Sequence, residues 1–168
     1  MRITTSALLA VLLVALAACS VPPLKVYAYP AWGFSISLRA APTVTLTPAA
    51  ATGGGSGGIK VEALVAGRDF LVAVADGSAS PKSDDEILSE FPQSLAEGGT
   101  LTKLTYVATG AVTGREFLID KPGQETERVR IFVSHRRLYE VSAQSSLGPT
   151  DPEVDEFLES FQLTTPAP

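Results

Sequence analysis

Histidine occurs once in the chain, at position 135, so acid-base or metal chemistry on an imidazole depends on His135 meeting partners. General-base catalysis requires a carboxylate to orient the ring and a nucleophile beside it. The string Ser134-His135-Arg136-Arg137 offers no carboxylate and reads as an exposed hairpin tip. Zinc fares worse, because one imidazole without a free thiol leaves coordination to carboxylates alone. Asp84, Asp85 and Glu86 are three consecutive acids, but a calcium loop spaces its oxygen ligands over about a dozen residues. They follow Ser83 at a helix start, where negative charge complements the helix dipole. The densest chemistry is cationic: Arg128, Arg130, Arg136 and Arg137, which paired strands would gather with Arg115 on one side of a sheet. Guanidinium groups bond bidentately to carboxylate and phosphate, so such a patch would suit anionic headgroups, an anionic polymer or an acidic protein. The competing reading is a solvated strand face balanced by Glu125, Glu127 and Glu140 through cross-strand pairing. Trp32 beside Tyr27 and Tyr29 is a further contact surface by residue type, with core packing the simpler account of Trp32.

Cysteine also occurs once, at position 19. Met1 and Arg2 precede an apolar run from Ala7 to Ala18, the layout of an export signal. That run falls short of the roughly 20 residues needed to span a bilayer. Leu16-Ala17-Ala18-Cys19 resembles the lipobox of bacterial lipoproteins. The resemblance implies that the thiol receives a diacylglycerol, that cleavage follows Ala18 and that the new amine is acylated. Ordinary cleavage after Ala15-Leu16-Ala17 is the alternative, and it would leave Cys19 as a bystander thiol. Two or more acyl chains make membrane residence effectively permanent, so the folded part is expected to be tethered to a lipid bilayer rather than spanning it. Ser20 stands where an aspartate commonly retains such proteins at the inner membrane, which favours the periplasmic face of the outer membrane in a Gram-negative cell.

With the only cysteine used as the anchor, no disulfide forms within the chain and no thiol nucleophile remains. The mature residues suffice for one ordinary domain and are too few for two. Eighteen acidic against 13 basic residues give a net charge of −5, which argues against nucleic acid as a partner. No cofactor motif is present. Gly53 to Gly58 is a low-complexity hinge and lacks the Lys-Ser/Thr pair of a phosphate loop.

Residues 19–25 read as a lipidated tether, 26–163 as the domain and 164–168 as a tail. Strands are expected at Val26 to Tyr29, Phe34 to Leu38 and Val44 to Leu46. A hairpin follows, Ile59 to Val65 and Phe70 to Ala75 around an Ala66-Gly67-Arg68-Asp69 turn. Ser83 to Glu86 form a capping box for a helix carrying Ile87, Leu88, Phe91 and Leu95 on one face, with Pro92 expected to kink it. Four more strands should run as a meander, roughly Leu101 to Ala108, Ala111 to Asp120, Thr126 to Val133 and Leu138 to Ala143. In the third of them Val129 and Ile131 should face the core while Arg128 and Arg130 stay partly wet. Asp151 and Pro152 open a last helix with Val154, Phe157, Leu158 and Phe161 as its buried stripe.

This order resembles the Mog1/PsbP-like domains. The matching strings are Trp32 to Leu38, Gly114-Arg115-Glu116-Phe117, Leu138-Tyr139 and Phe157 to Phe161. The resemblance covers roughly Leu24 to Leu163 and implies an α+β fold, a mostly antiparallel sheet of about six to eight strands flanked by two amphipathic helices. It also implies a non-catalytic accessory or binding module, as members of this group are extrinsic parts of membrane-associated assemblies or have no known role; the arginine cluster adds an envelope protein or anionic polymer as the expected partner. The alternative is a small-ligand or lipid-binding domain with a cavity between helix and sheet. Two departures stand out. The turn before Leu138 lacks the Gly or Asp such domains tend to carry, and the glycine-rich insertion interrupts the early strands.

Overall fold

A computed structural model describes residues 21–48, 57–77 and 80–165. Leu16, Ala17, Ala18 and Cys19 lie outside the described residues, as do residues 53–56 of the glycine-rich stretch and 166–168 of the tail. The strands are β1 (Lys25–Tyr29), β2 (Phe34–Leu38), β3 (Thr43–Thr47), β4 (Gly58–Val65) and β5 (Arg68–Asp76), then β6 (Thr100–Thr109), β7 (Val112–Asp120), β8 (Glu127–Ser134), β9 (Arg137–Ser145) and β10 (Gln162–Leu163). Helix α1 (Asp84–Leu95) joins β5 to β6, and α2 (Pro152–Ser160) follows β9.

Among the described residues the strands form two antiparallel sheets. The large one has the order β3-β4-β5-β9-β8-β7-β6, and the small one β1-β2-β10. The meander β6 to β9 forms as its short joins require, but its last strand returns to the centre of the sheet and pairs with β5 from Arg68↔Ser145 to Asp76↔Arg137. Helix α1 is therefore a crossover that carries the chain from β5 to the far edge.

Period-2 alternation decides which side chains meet. On one face of the large sheet Val61, Val72, Tyr139 and Val141 pack against Phe34, Ile36 and Leu38 of β2 and against Val154, Phe157 and Leu158 of α2. On the other face Phe117, Ile119, Val129 and Ile131 lie under Leu88, Phe91, Leu95 and Ala96 of the α1 segment. Strand β8 is thus packed on both sides, and on the side expected to be partly wet Arg128 and Arg130 are largely covered.

The β4–β5 turn and the end of α2 depart locally from expectation. The β4–β5 turn is only Ala66-Gly67, with φ of 50° and 77°, so Arg68 and Asp69 already belong to β5. Two left-handed residues in succession match the right-handed twist of a hairpin. Pro92 is buried in an unbroken α1 that runs three residues further, and the Ala96 amide donates to its carbonyl. Phe161 is not a helical residue. It turns extended after α2, stacks on Phe34 and Phe132 at 5.9 and 5.6 Å, and lets Gln162–Leu163 pair with β2. At Gly114 a Cβ would meet the Ile131 carbonyl at 2.2 Å and the Phe132 ring at 2.5 Å, so only glycine permits that β7–β8 approach.

Candidate functional site

The five arginines do not form one patch. Arg128 and Arg130 lie on the α2 side of the sheet, with side chains 17% and 16% exposed, and both engage Glu116. Arg128 Nε donates to Glu116 at 3.1 Å and its Nη1 to Asp155, while Arg130 Nη1 donates to the Leu158 carbonyl at 2.9 Å. These two hold α2 onto the sheet. The counter-ions are Glu116 and Asp155, not Glu125, Glu127 or Glu140. Arg115 projects from the opposite face, its guanidinium 3.7 Å from the centroid of the exposed Tyr106 ring. Arg136 and Arg137 sit at the β8–β9 tip. Arg136 donates to the Ser80 carbonyl, and Arg137 donates to Ala31 O at 2.9 Å and lies over the Trp32 ring.

That division has a measurable consequence. Arg128→Glu or Arg130→Glu will lower stability by about 1 to 2 kcal/mol, because Glu116 is left partly buried facing a like charge. Arg115→Glu on the open face will change stability by less than about 0.5 kcal/mol. Urea midpoints check both, and equal effects at the two faces would contradict the assignment.

The other sequence-level candidates have structural employment. Asp84, Asp85 and Glu86 form the first turn of α1, where Ser83 Oγ accepts from the Glu86 amide at 3.3 Å and the Glu86 carboxylate accepts from the Ser83 amide at 2.8 Å. His135 is exposed at the hairpin tip with φ of 50°, next to Arg136 at 60°. Those two left-handed positions are the ones where a Gly or Asp was missed in the sequence. Trp32 is half-buried, packs against the main core and accepts from Tyr139 Oη through its carbonyl at 3.0 Å.

The feature that sequence reasoning did not single out is the half of the large sheet that α1 leaves bare. Seven strands spaced about 4.8 Å apart make a surface near 29 Å wide, and one helix of about 10 Å cannot cover it. Helix α1 packs on β7 and β8. Beside it, β5 and β9 form the floor of a trough with cross-strand rows Ala73↔Glu140, Leu71↔Ser142 and Asp69↔Gln144, the last continued by Glu127 on β8. At one end lies a cleft of about 470 Å³ lined by Glu62, Leu71, Asp69, Glu127, Ser142 and Gln144. At the other, between α1 and β5, lies a cleft of about 490 Å³ with Ala75, Ile87, Phe91 and Leu138 among its walls. Beneath α2, where a ligand cavity was an alternative, the space is only about 10 Å³.

The trough is acidic. Burial, followed by repulsion from Glu127, pushes the Glu140 carboxyl up to about 7, against the weaker pull of Lys60 and Lys121. Lys60 pairs with Glu62 at 2.7 Å on the rim. Among the described residues Asp69, Glu127 and Glu140 have neither ion pair nor hydrogen-bond partner. Ser142, 2% exposed, also lacks a partner for its hydroxyl, which opens onto the cleft. The signal for this site was present as the polar positions 140, 142 and 144 alternating with Val141 and Ala143. What the alternation lacks is any statement of which polar face stays open.

No metal-ligating group of three or more residues occurs among the described residues, and no described helix is long and apolar enough to cross a membrane. No family model and no curated protein sequence matches the chain. The fold is similar to the solution structure of cyanobacterial PsbP (CyanoP) from Synechocystis sp. PCC 6803, with a TM-score of 0.56 and 8% identity over 86% of this chain and 95% of that chain. At that identity the likeness establishes a PsbP-like α+β sandwich.

Proposed function

We propose that this chain is a non-catalytic accessory module of a bacterial envelope, held on a lipid bilayer by acylated Cys19, which presents the open α1-side face of its sheet to a partner. The observation that carries the reading is the trough itself. A sheet face that keeps a desolvated carboxylate, and a nearly buried serine whose hydroxyl opens onto the cleft, holds polar groups whose partners the folded chain does not supply. The PsbP-like fold supports an accessory rather than a catalytic role, and Leu16-Ala17-Ala18-Cys19 supports the anchor. In a Gram-negative cell Ser20 favours the outer membrane, facing the periplasm.

The cleft between α1 and β5 supports a second reading, carriage of a small apolar ligand between helix and sheet. Affinity capture from detergent-solubilised envelope separates the two. The module reading expects a partner protein that Leu71→Arg in the trough releases and Arg115→Glu retains, and a shift of the Cys19→Ala protein into the soluble fraction. Capture that is indifferent to Leu71→Arg, with a lipid or small molecule co-purifying instead, would favour the carrier. Intact-mass measurement showing an unacylated mature chain would remove the anchor.

A further inference from the structure

We propose that the Ser142 cleft binds an organic cation, an ammonium or guanidinium group on an apolar stem, and this assignment rests on the trough being the binding face. Three features of the cleft select that chemistry. Its charge is negative and only partly compensated: Asp69 and Glu127 line it without an ion pair among the described residues, Glu62 pairs with Lys60 at the rim, and Glu140, two residues along β9 from Ser142, feels only the weaker pull of Lys60 and Lys121. Its floor offers a hydrogen-bond acceptor in the Ser142 hydroxyl, buried yet open to the cleft, and the Gln144 amide stands beside it. Its wall carries apolar surface for a stem, Leu71 on the floor and Leu64, 72% exposed, at the rim.

The carboxylates are not gathered as metal ligands among the described residues. Asp69 and Glu127 flank Gln144 from the two neighbouring strands, which places their backbones about 10 Å apart. Glu140 lies two residues along β9 from Ser142, about 7 Å away and on the opposite side from that row. A calcium ion draws about six to eight oxygens to within about 2.6 Å, and no such convergence of carboxylates occurs among the described residues. An ammonium or guanidinium carries three to five donors on a flexible arm and can address carboxylates one at a time while donating to the serine. Anions and fatty chains are disfavoured by the same carboxylates. A cleft of about 470 Å³ is large enough for one such side chain or small amine.

The groups facing Glu140 are Glu127, Lys60 and Lys121, and a bound cation opposes the repulsion from Glu127. Binding will therefore strengthen as pH rises through about 7 and Glu140 ionises.

The test is titration of the full-length, detergent-solubilised chain with butylguanidine and butylamine, followed by NMR of the backbone amides. Saturable shifts confined to Leu71, Ser142 and Gln144 are expected. The Glu127→Gln/Glu140→Gln double variant should weaken binding at least about tenfold, the scale of one charge-assisted hydrogen bond, and Ser142→Ala should weaken it less. Circular dichroism confirms that these near-isosteric variants fold. Two further ligands separate the sources of the cation: a capped peptide with arginine between two leucines, and free spermidine. Tighter binding of the peptide assigns the cation to a partner's side chain, and tighter binding of spermidine assigns it to a free polyamine. Shifts that never saturate, that spread over every surface carboxylate or that persist in the double variant overturn the proposal, as does displacement by calcium at equal concentration. If Leu71→Arg abolishes envelope capture while no amine binds, the ligand class falls and the module reading survives.

Discussion

Glu140→Gln is expected to stabilise the fold by about 2 to 3 kcal/mol near pH 8 and to leave it unchanged near pH 4. The carboxyl lies in the trough between Ala73 and Ile131, where burial and Glu127 raise it to about 7. A folded-state value above the unfolded one means that the folded chain holds the proton more tightly. The penalty is absent while both states are protonated, develops as pH rises through the unfolded value near 4.5, and is complete above about 7. Full conversion of such a shift gives about 3 kcal/mol, reduced by the water that reaches the trough side of the carboxylate. Glutamine keeps the shape and removes the charge. Urea unfolding of both proteins between about pH 4 and pH 8 measures the gain, and a gain that does not vary with pH would refute the assignment to ionisation.

Asp151→Ala is expected to produce the opposite effect, a loss of about 3 kcal/mol near neutral pH. The Asp151 side chain is 1% exposed and caps α2 by accepting from the Glu153 amide at 3.0 Å. It also accepts from Arg68 Nε at 2.6 Å and from Ser145 Oγ, which ties the start of the helix to the ends of β5 and β9. Burial alone would raise its carboxyl, but the bonds from Arg68, Ser145 and the Glu153 amide outweigh burial and hold it below the usual aspartate range. Its contribution is therefore present above the unfolded value near 3.8 and is lost as pH falls through the depressed folded value. Removing the carboxylate leaves Arg68 largely buried without that partner and α2 without a cap. Asp151→Asn should recover part of the loss by keeping the cap. Urea unfolding across pH checks this: a stability difference between wild type and the Ala variant that does not shrink as pH falls would show that the carboxylate plays no such part.

The Arg128 and Arg130 pair shows why charge is harder to read than helix or strand. Strand alternation places both on one face of β8, and that much is local. Their partners Glu116 and Asp155 come from the preceding strand and from a helix more than twenty residues later. An arginine run read in one dimension looks like a surface patch. Folded, two members are internal fasteners, one lies on the opposite face, and two secure a hairpin tip against Ala31 and Ser80.

Local features were legible from the residues themselves. The Ser83 capping box, the Asp151-Pro152 helix start and the period-2 strands β2, β4, β5 and β9 depend on neighbours within a few positions, and short-range sterics and hydrogen bonding determine them wherever the chain goes. The α+β class follows from the same local patterns, because two amphipathic helices and a run of alternating strands must cover one another. Tertiary structure alone decided that β9 returns beside β5, that Phe161 leaves the helix to close the small sheet, and that α1 covers only part of its face. Each of these sets long-range burial against chain connectivity. The trough belongs to that class: its polar residues are written in β5, β8 and β9, but their exposure is set by where a single helix, too narrow for the sheet beneath it, comes to rest.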